Sequence, residues 1–132
     1  LPEDDALIWR LKQEMAAIPA DANPTNIARA MIQAARQAYQ ARQEEFLAGK
    51  ITVDHLFESS DNMLEAELAL YSRKVDRVRA HEQHWRRNLL AERVLEVRFN
   101  ARVARSVEVM QARHSRLDAQ LALEEAKAGK SE

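Results

Sequence analysis

The stretch FLAGKITVDHLFESSDNMLEAELAL, residues 46–70, holds one of only two glycines in the chain and decides how the chain folds. Before it the sequence has helical spacing, and after it the sequence has helical spacing again. Gly49 stands where a helix C-terminus needs a left-handed residue, which glycine adopts without steric cost. Thr52 can serve as the N-cap of a helix beginning at Val53, with Asp54 in its first turn favoured by the helix dipole. These three residues predict a tight corner between two antiparallel helices, and a plain αα-hairpin turn needs nothing more.

Upstream of the corner, Leu7, Leu11, Met15 and Ile18 share one face of a first helix over residues 1–18. Pro19 and Pro24 mark a linker at 19–25, after which Thr25 or Asn26 can cap a helix over 26–48. That helix carries Ile27, Met31, Ala34, Ala38, Tyr39 and Phe46 at helical spacing. Downstream, neither glycine nor proline occurs from Val53 to Ala128, so the expectation is one very long helix over 53–100, following a turn at 49–52. Its seam reads Leu64, Leu68, Tyr71, Val75, Val78, Glu82, Trp85 and Leu89, in the 3 and 4 residue alternation of a coiled coil and apolar at all but Glu82. A second seam reads Val103, Val107, Met110, His114, Leu117 and Leu121. The two are out of phase, which requires a winding adjustment or a turn near 100–105.

An internal repeat favours the turn. Phe46, Ala48, Leu64, Ala66, Leu68, Ala69 and Leu70 return 53 residues later as Phe99, Ala101, Leu117, Ala119, Leu121, Ala122 and Leu123. Gly49 becomes Arg102 in the second copy, leaving Asn100 to take the left-handed conformation and Ser106 to cap a helix over 101–128. The fold class expected from these patterns is all-α, a single unit (1–132) of elongated antiparallel helical hairpins with coiled-coil packing.

Composition restricts the function classes. With no cysteine, disulfides, thiolate metal sites and thiol nucleophiles are excluded. No apolar run approaches the roughly 20 residues of a membrane span, and a first residue other than Met suggests processing or trimming. The net charge of −1 hides an asymmetry: 71–117 carries twelve Lys and Arg against five acids, so it is +7 and the remainder −8. Charges of both signs on long helices are ordinarily solvated flanks or complements to a neighbouring helix. The segment also lacks interleaved aromatics, which disfavours nucleic acid as a partner.

The residues Phe46, Ala48, Gly49, Thr52, Asp54, Leu56, Leu64, Ala66 and Leu68 resemble the helical hairpins of TolC-type outer membrane efflux proteins. There a Tyr/Phe-x-Ala-Gly, a short loop and a Thr/Ser-x-Asp segment precede a Leu-x-Ala-x-Leu helix. The resemblance extends over about residues 35–128 and is shared with repeated TolC-like hairpins of uncharacterised envelope proteins, as in planctomycetes. It implies that Gly49, Thr52 and Asp54 form a hairpin tip, and that the protein is periplasmic or otherwise exported and soluble, with an envelope or efflux-pump protein as partner. The chain departs from the family in having no alternating strand segments for a barrel. Its two tip-like segments are also expected at opposite ends of the long helix.

Candidates for chemistry are few. His81 and His84 fall at i and i+3 and could share a Zn²⁺, Ni²⁺ or Cu²⁺ ion with further ligands from a partner, which leaves a metal-responsive module as an alternative function. His-x-x-His alone defines no site, and a seam-flanking pair is the simpler reading. The serines have no His and acid pairing suggested by sequence, and no Gly-rich phosphate loop exists, so no enzyme activity, no cofactor and no small-molecule substrate are expected. Burial of Leu, Val, Ala and Trp85 along more than one seam points to a homo-oligomeric structural or interaction module. Its arginine-rich helix leaves an anionic-surface or nucleic-acid binder as the other alternative.

Overall fold

The computed structural model describes residues 2–19 and 23–129, and these form α1 (Pro2–Ala16), α2 (Pro24–Leu47), α3 (Val53–Leu70), α4 (Lys74–Asn100) and α5 (Ser106–Lys127), with no strand among them. The all-α expectation holds. α2 packs on α3, α3 on α4 and α4 on α5, so these four helices form a row of antiparallel neighbours. Every side chain described from Glu3 to Pro19 is exposed, and α1 takes no part in the core.

The linker caps α2 differently from the sequence reading. Asn23, not Thr25 or Asn26, is the N-cap, and its Oδ1 accepts from the backbone N–H groups of Thr25 at 3.0 Å and Asn26 at 3.1 Å. Pro24 then occupies the first helical position, where its missing N–H costs nothing. The middle of the expected linker, 20–22, lies outside the described residues.

Both hairpin corners have the same hydrogen bonding. At the first, Gly49 has φ +74°, its N–H reaches Phe46 O at 3.0 Å, and the Lys50 N–H reaches Glu45 O at 2.8 Å. At the second, Arg102 has φ +63°, its N–H reaches Phe99 O at 2.9 Å, and the Val103 N–H reaches Arg98 O at 2.8 Å. This paired closure uses the last carbonyls of a helix through one left-handed residue. Arg102, not Asn100, takes that conformation, because the repeat places it level with Gly49. Likewise Arg105, not Ser106, occupies the N-cap position, and the Glu108 side chain accepts from its N–H at 3.5 Å. Thr52 is the N-cap of α3 by position and backbone, without a side-chain capping bond. α3 and α5 begin 53 residues apart, as do the ends of α2 and α4.

The single long helix expected over 53–100 is instead two helices broken at 71–73. Tyr71 is extended, with ψ 120°, and the Arg77 Nη1 donates to the carbonyls of Leu68 and Tyr71, both at 2.8 Å. A guanidinium one turn into α4 therefore satisfies carbonyls that the end of α3 frees, in place of a glycine or proline signal. Because the chain reverses here, the two tips lie at the same end of the molecule and not at opposite ends. Arg98 Nη2 of the second hairpin donates to Phe46 O at 2.7 Å and Leu47 O at 3.2 Å in the first, with its guanidinium 4.6 Å from the Phe46 ring centroid. Below the tips, Tyr39, Phe46, Val53, Leu56, Met63, Ala91, Leu95, Val109 and Ala112 form one core drawn from all four helices.

The two corners differ in strain. A Cβ added at Gly49 would meet nothing within 4 Å, so its whole penalty is conformational. Gly49→Val is expected to lower stability by about 1 kcal/mol or more, whereas Arg102→Gly should raise it by about 0.5 kcal/mol, by relieving a left-handed arginine. Urea denaturation of the two variants checks both signs, and a loss on Arg102→Gly contradicts the strain assignment.

Candidate functional site

The interior of the row between α3 and α4 is polar. His81, His84, Asn88 and Glu92 occupy buried positions of α4, together with Ala80, Ala91 and Leu95. The sequence seam runs beside this stripe instead of along it. Leu64, Leu68, Tyr71, Val78, Trp85 and Leu89 are half-buried and Val75 is exposed. Periodicity of apolar residues does not reveal the inward stripe of α4, because its positions carry imidazoles, an amide and a carboxylate.

His84 is the centre of the network. Its Nδ1 lies 2.8 Å from the Ser60 Oγ, which also accepts from Arg87 Nε at 2.7 Å. Its Nε2 lies 3.4 Å from Asp61 Oδ1 and 3.4 Å from Asn88 Nδ2; a proton on Nε2 serves Asp61 and lets Ser60 donate to Nδ1, whereas a proton on Nδ1 serves Ser60 and lets Asn88 donate to Nε2. Asn88 Nδ2 donates to His84 O at 2.9 Å, and Ser115 of α5 donates to Asn88 Oδ1 at 2.5 Å. One turn further on, Glu92 accepts from Arg116 Nε at 2.6 Å and Nη2 at 3.1 Å, with Arg113 Nε at 3.7 Å. Polar contacts thus link α3, α4 and α5 through the middle of the row.

The environment sets the protonation states. Burial, the Arg87 charge and His81 push His84 down to about 4, so it is neutral at pH 7. Burial holds the Asp61 and Glu67 carboxyls above their ordinary range, with Asp118 adding to the effect at Asp61 and Arg87 opposing it at both. The Arg116 hydrogen bonds hold Glu92 below its ordinary range. Arg87 lies 5.4 Å from the Tyr39 ring centroid, and burial raises the Tyr39 hydroxyl.

Ser60, His84 and Asp61 are brought together although the sequence suggested no such pairing, yet their order resembles a nucleophile, base and orienting acid only on paper. Ser60 is 2% exposed, and its oxygen already takes a guanidinium N–H, so an acyl substrate cannot reach it. His81 and His84 do share a face, and both are buried. Both His84 nitrogens face partners already, so a metal would have to displace Ser60 or Asp61, and no cluster of three or more His, Cys, Asp or Glu with metal-binding geometry occurs among the described residues. His55 and His114 are exposed. The tip residues Gly49 and Thr52 line a groove of about 400 Å³ with Phe46, Leu95, Arg98 and Val103, between the two corners, and Asp54 sits on the first turn of α3.

The basic segment is largely engaged within the chain. Arg77 and Arg98 cap helix ends, Arg87 and Arg116 enter the buried network, and Arg86, Arg93 and Arg105 pair with Glu82, Glu96 and Glu108 on their own helices. No family model, curated protein or solved structure matches the chain.

Acid should loosen the network. Below pH 6.5 the unfolded chain protonates His84 while the folded chain resists until about pH 4, so stability is full above 6.5 and falls through that window. Between pH 7 and pH 5 the loss is about 2 kcal/mol, partly offset toward the acid end as Asp61 and Glu67 take protons first in the folded state. Denaturation midpoints at the two pH values should separate in the parent and converge in His84→Gln. An equal separation in the variant assigns the effect to other groups.

Proposed function

We propose that the protein is a non-enzymatic structural and interaction module of the cell envelope, similar in plan to the coiled-coil hairpins of TolC-type efflux proteins, and that it works by self-association of helix faces. The observation that carries the reading is the exposure of apolar stripes on the two edge helices of the row. On α5, Val107, Met110, Leu117 and Leu121 follow a 3 and 4 residue alternation around His114 and all face solvent. On α2, Ile27 and Met31 are exposed in line with Ala34 and Ala38. Contiguous exposed apolar surface at core spacing marks an association site.

The placement of both tips at one end supports the likeness to the family's hairpins, because it removes the opposed-tip geometry that set the sequence apart from them. No helix among the described residues is long and apolar enough to cross a membrane. Multi-angle light scattering at tens of micromolar is expected to give a mass of at least twice 15.1 kDa. A clean monomer removes self-association from the reading. Fractionation of native cells tests the envelope assignment separately, and recovery in the cytosol alone overturns it.

A further inference from the structure

The internal repeat states what should cover the exposed stripes. Within the chain, the first hairpin meets the second through α3 and α4. The α3 side of that junction presents Phe57, Ser60, Asp61, Leu64 and Leu68, and Ser60 and Asp61 touch His84. Moved on by the 53-residue repeat, these positions become Met110, Arg113, His114, Leu117 and Leu121 of α5. Phe57, Leu64 and Leu68 are half-buried because α3 lies inside the row, while Met110, Leu117 and Leu121 are 63%, 49% and 59% exposed because α5 is its edge. The α4 side of the junction includes Ala80, His84, Arg87 and Ala91. Moved back by the same repeat, these become Ile27, Met31, Ala34 and Ala38 of α2, the opposite edge, and all four are exposed.

We infer that α5 of one copy docks antiparallel on α2 of a second copy, repeating between molecules the α3–α4 junction that joins the hairpins within one. This rests on the self-association reading and gives it a surface, a direction and a register. The register follows from Ser60 meeting His84, which transposes to Arg113 meeting Met31 of the next copy. Leu117 then falls opposite Ile27, an apolar pair, and Met110 opposite Ala34, a large side chain against a small one. In the same register Asp118, which makes no ion pair among the described residues, falls opposite Asn26 of the neighbour, about one helical turn from Arg29. The contact is heterologous, since each copy uses one patch to give and a different patch to receive. Association therefore continues past the dimer into a ring or an open chain. A symmetric contact between two α5 helices lacks this continuity and would stop at two copies. α5 carries four acids against three bases, which also disfavours an anionic membrane as the occupant of its apolar face.

Leu117→Glu and Met31→Glu test the inference on the full chain. Both residues are exposed in the single copy, 49% and 52%, so circular dichroism should show both variants folded. By light scattering the parent should exceed the dimer mass and each variant alone should be a monomer. Their equimolar mixture should form a 1:1 dimer, because the Met31→Glu copy keeps a good α5 and the Leu117→Glu copy keeps a good α2. Since the chain has no cysteine, Ile27→Cys and Leu117→Cys give an independent readout: the mixed disulfide should form at least tenfold faster than either self-link. This second pair also covers the case in which a glutamate variant fails to fold. Dimerisation of Met31→Glu by itself overturns the inference in favour of an α5–α5 contact. Unchanged association in both variants overturns it while leaving self-association standing, and a monomeric parent overturns both. Association that appears only with anionic vesicles assigns the face to a lipid surface and overturns it as well.

Discussion

Arg98 fixes the relation between the two hairpins. Its guanidinium lies on the Phe46 ring and donates to the last carbonyls of α2, so one side chain of the second hairpin closes the exposed end of the first. A helix C-terminus leaves its final carbonyls without intrahelical partners, and a cation placed there also meets the negative end of the dipole. The contact sets the tips side by side and holds α4 against α2 although the two helices are separated by α3. Arg77 does the equivalent work at the other end, satisfying Leu68 and Tyr71 carbonyls where α3 stops. Arginines of the basic segment thus act as fasteners for helix ends.

Such fasteners matter because the interior is thin. Ala112, Ala119 and Ala126 recur every seven residues on the inward face of α5, and Ala80 and Ala91 lie on the inward face of α4. Small residues let helices approach closely, yet each buries little apolar area, so the hydrophobic contribution per turn is low. The polar chain from Ser60 through His84 and Asn88 to Ser115 occupies the gap. A satisfied network contributes little net stability, but leaving one member unpaired is costly, which penalises sliding of the hairpins out of register. The Glu92 and Arg116 pair makes the same selection one turn on. A slip by one residue would separate a buried carboxylate from its two guanidinium hydrogen bonds.

What could be read from the sequence was local. Gly49 signalled its corner by chemistry that a single residue supplies, and the second corner was legible through the repeat, with Arg102 adopting the glycine's geometry at some conformational cost. The break at 71–73 was not legible, since its stabilising partner, Arg77, resembles any other arginine until the fold brings it to the carbonyls. The inward face of α4 was hidden for a related reason. Periodicity arguments weigh apolar residues, while that stripe is carried by His81, His84, Asn88 and Glu92, and the burial of the last three is offset only once Ser60, Ser115 and Arg116 are in place. The site's individual residues were visible, but their partners were tertiary.

The distribution of apolar bulk on α5 is the reverse of that in a self-sufficient helix. Its inward face is mostly alanine, while valine, methionine and two leucines point outward. A helix whose only task was to close the row would place its larger apolar groups inward, where they bury most area, and leave polar groups outside. The corresponding helix α3 explains the arrangement, because it is packed on two sides, against α2 and against α4. α5 has inherited the pattern of a helix with two neighbours and, within one chain, has only one large contact. The outward face of α5 thus carries apolar spacing of the kind found on a helix with two neighbours, and that exposed spacing is what the self-association proposal rests on.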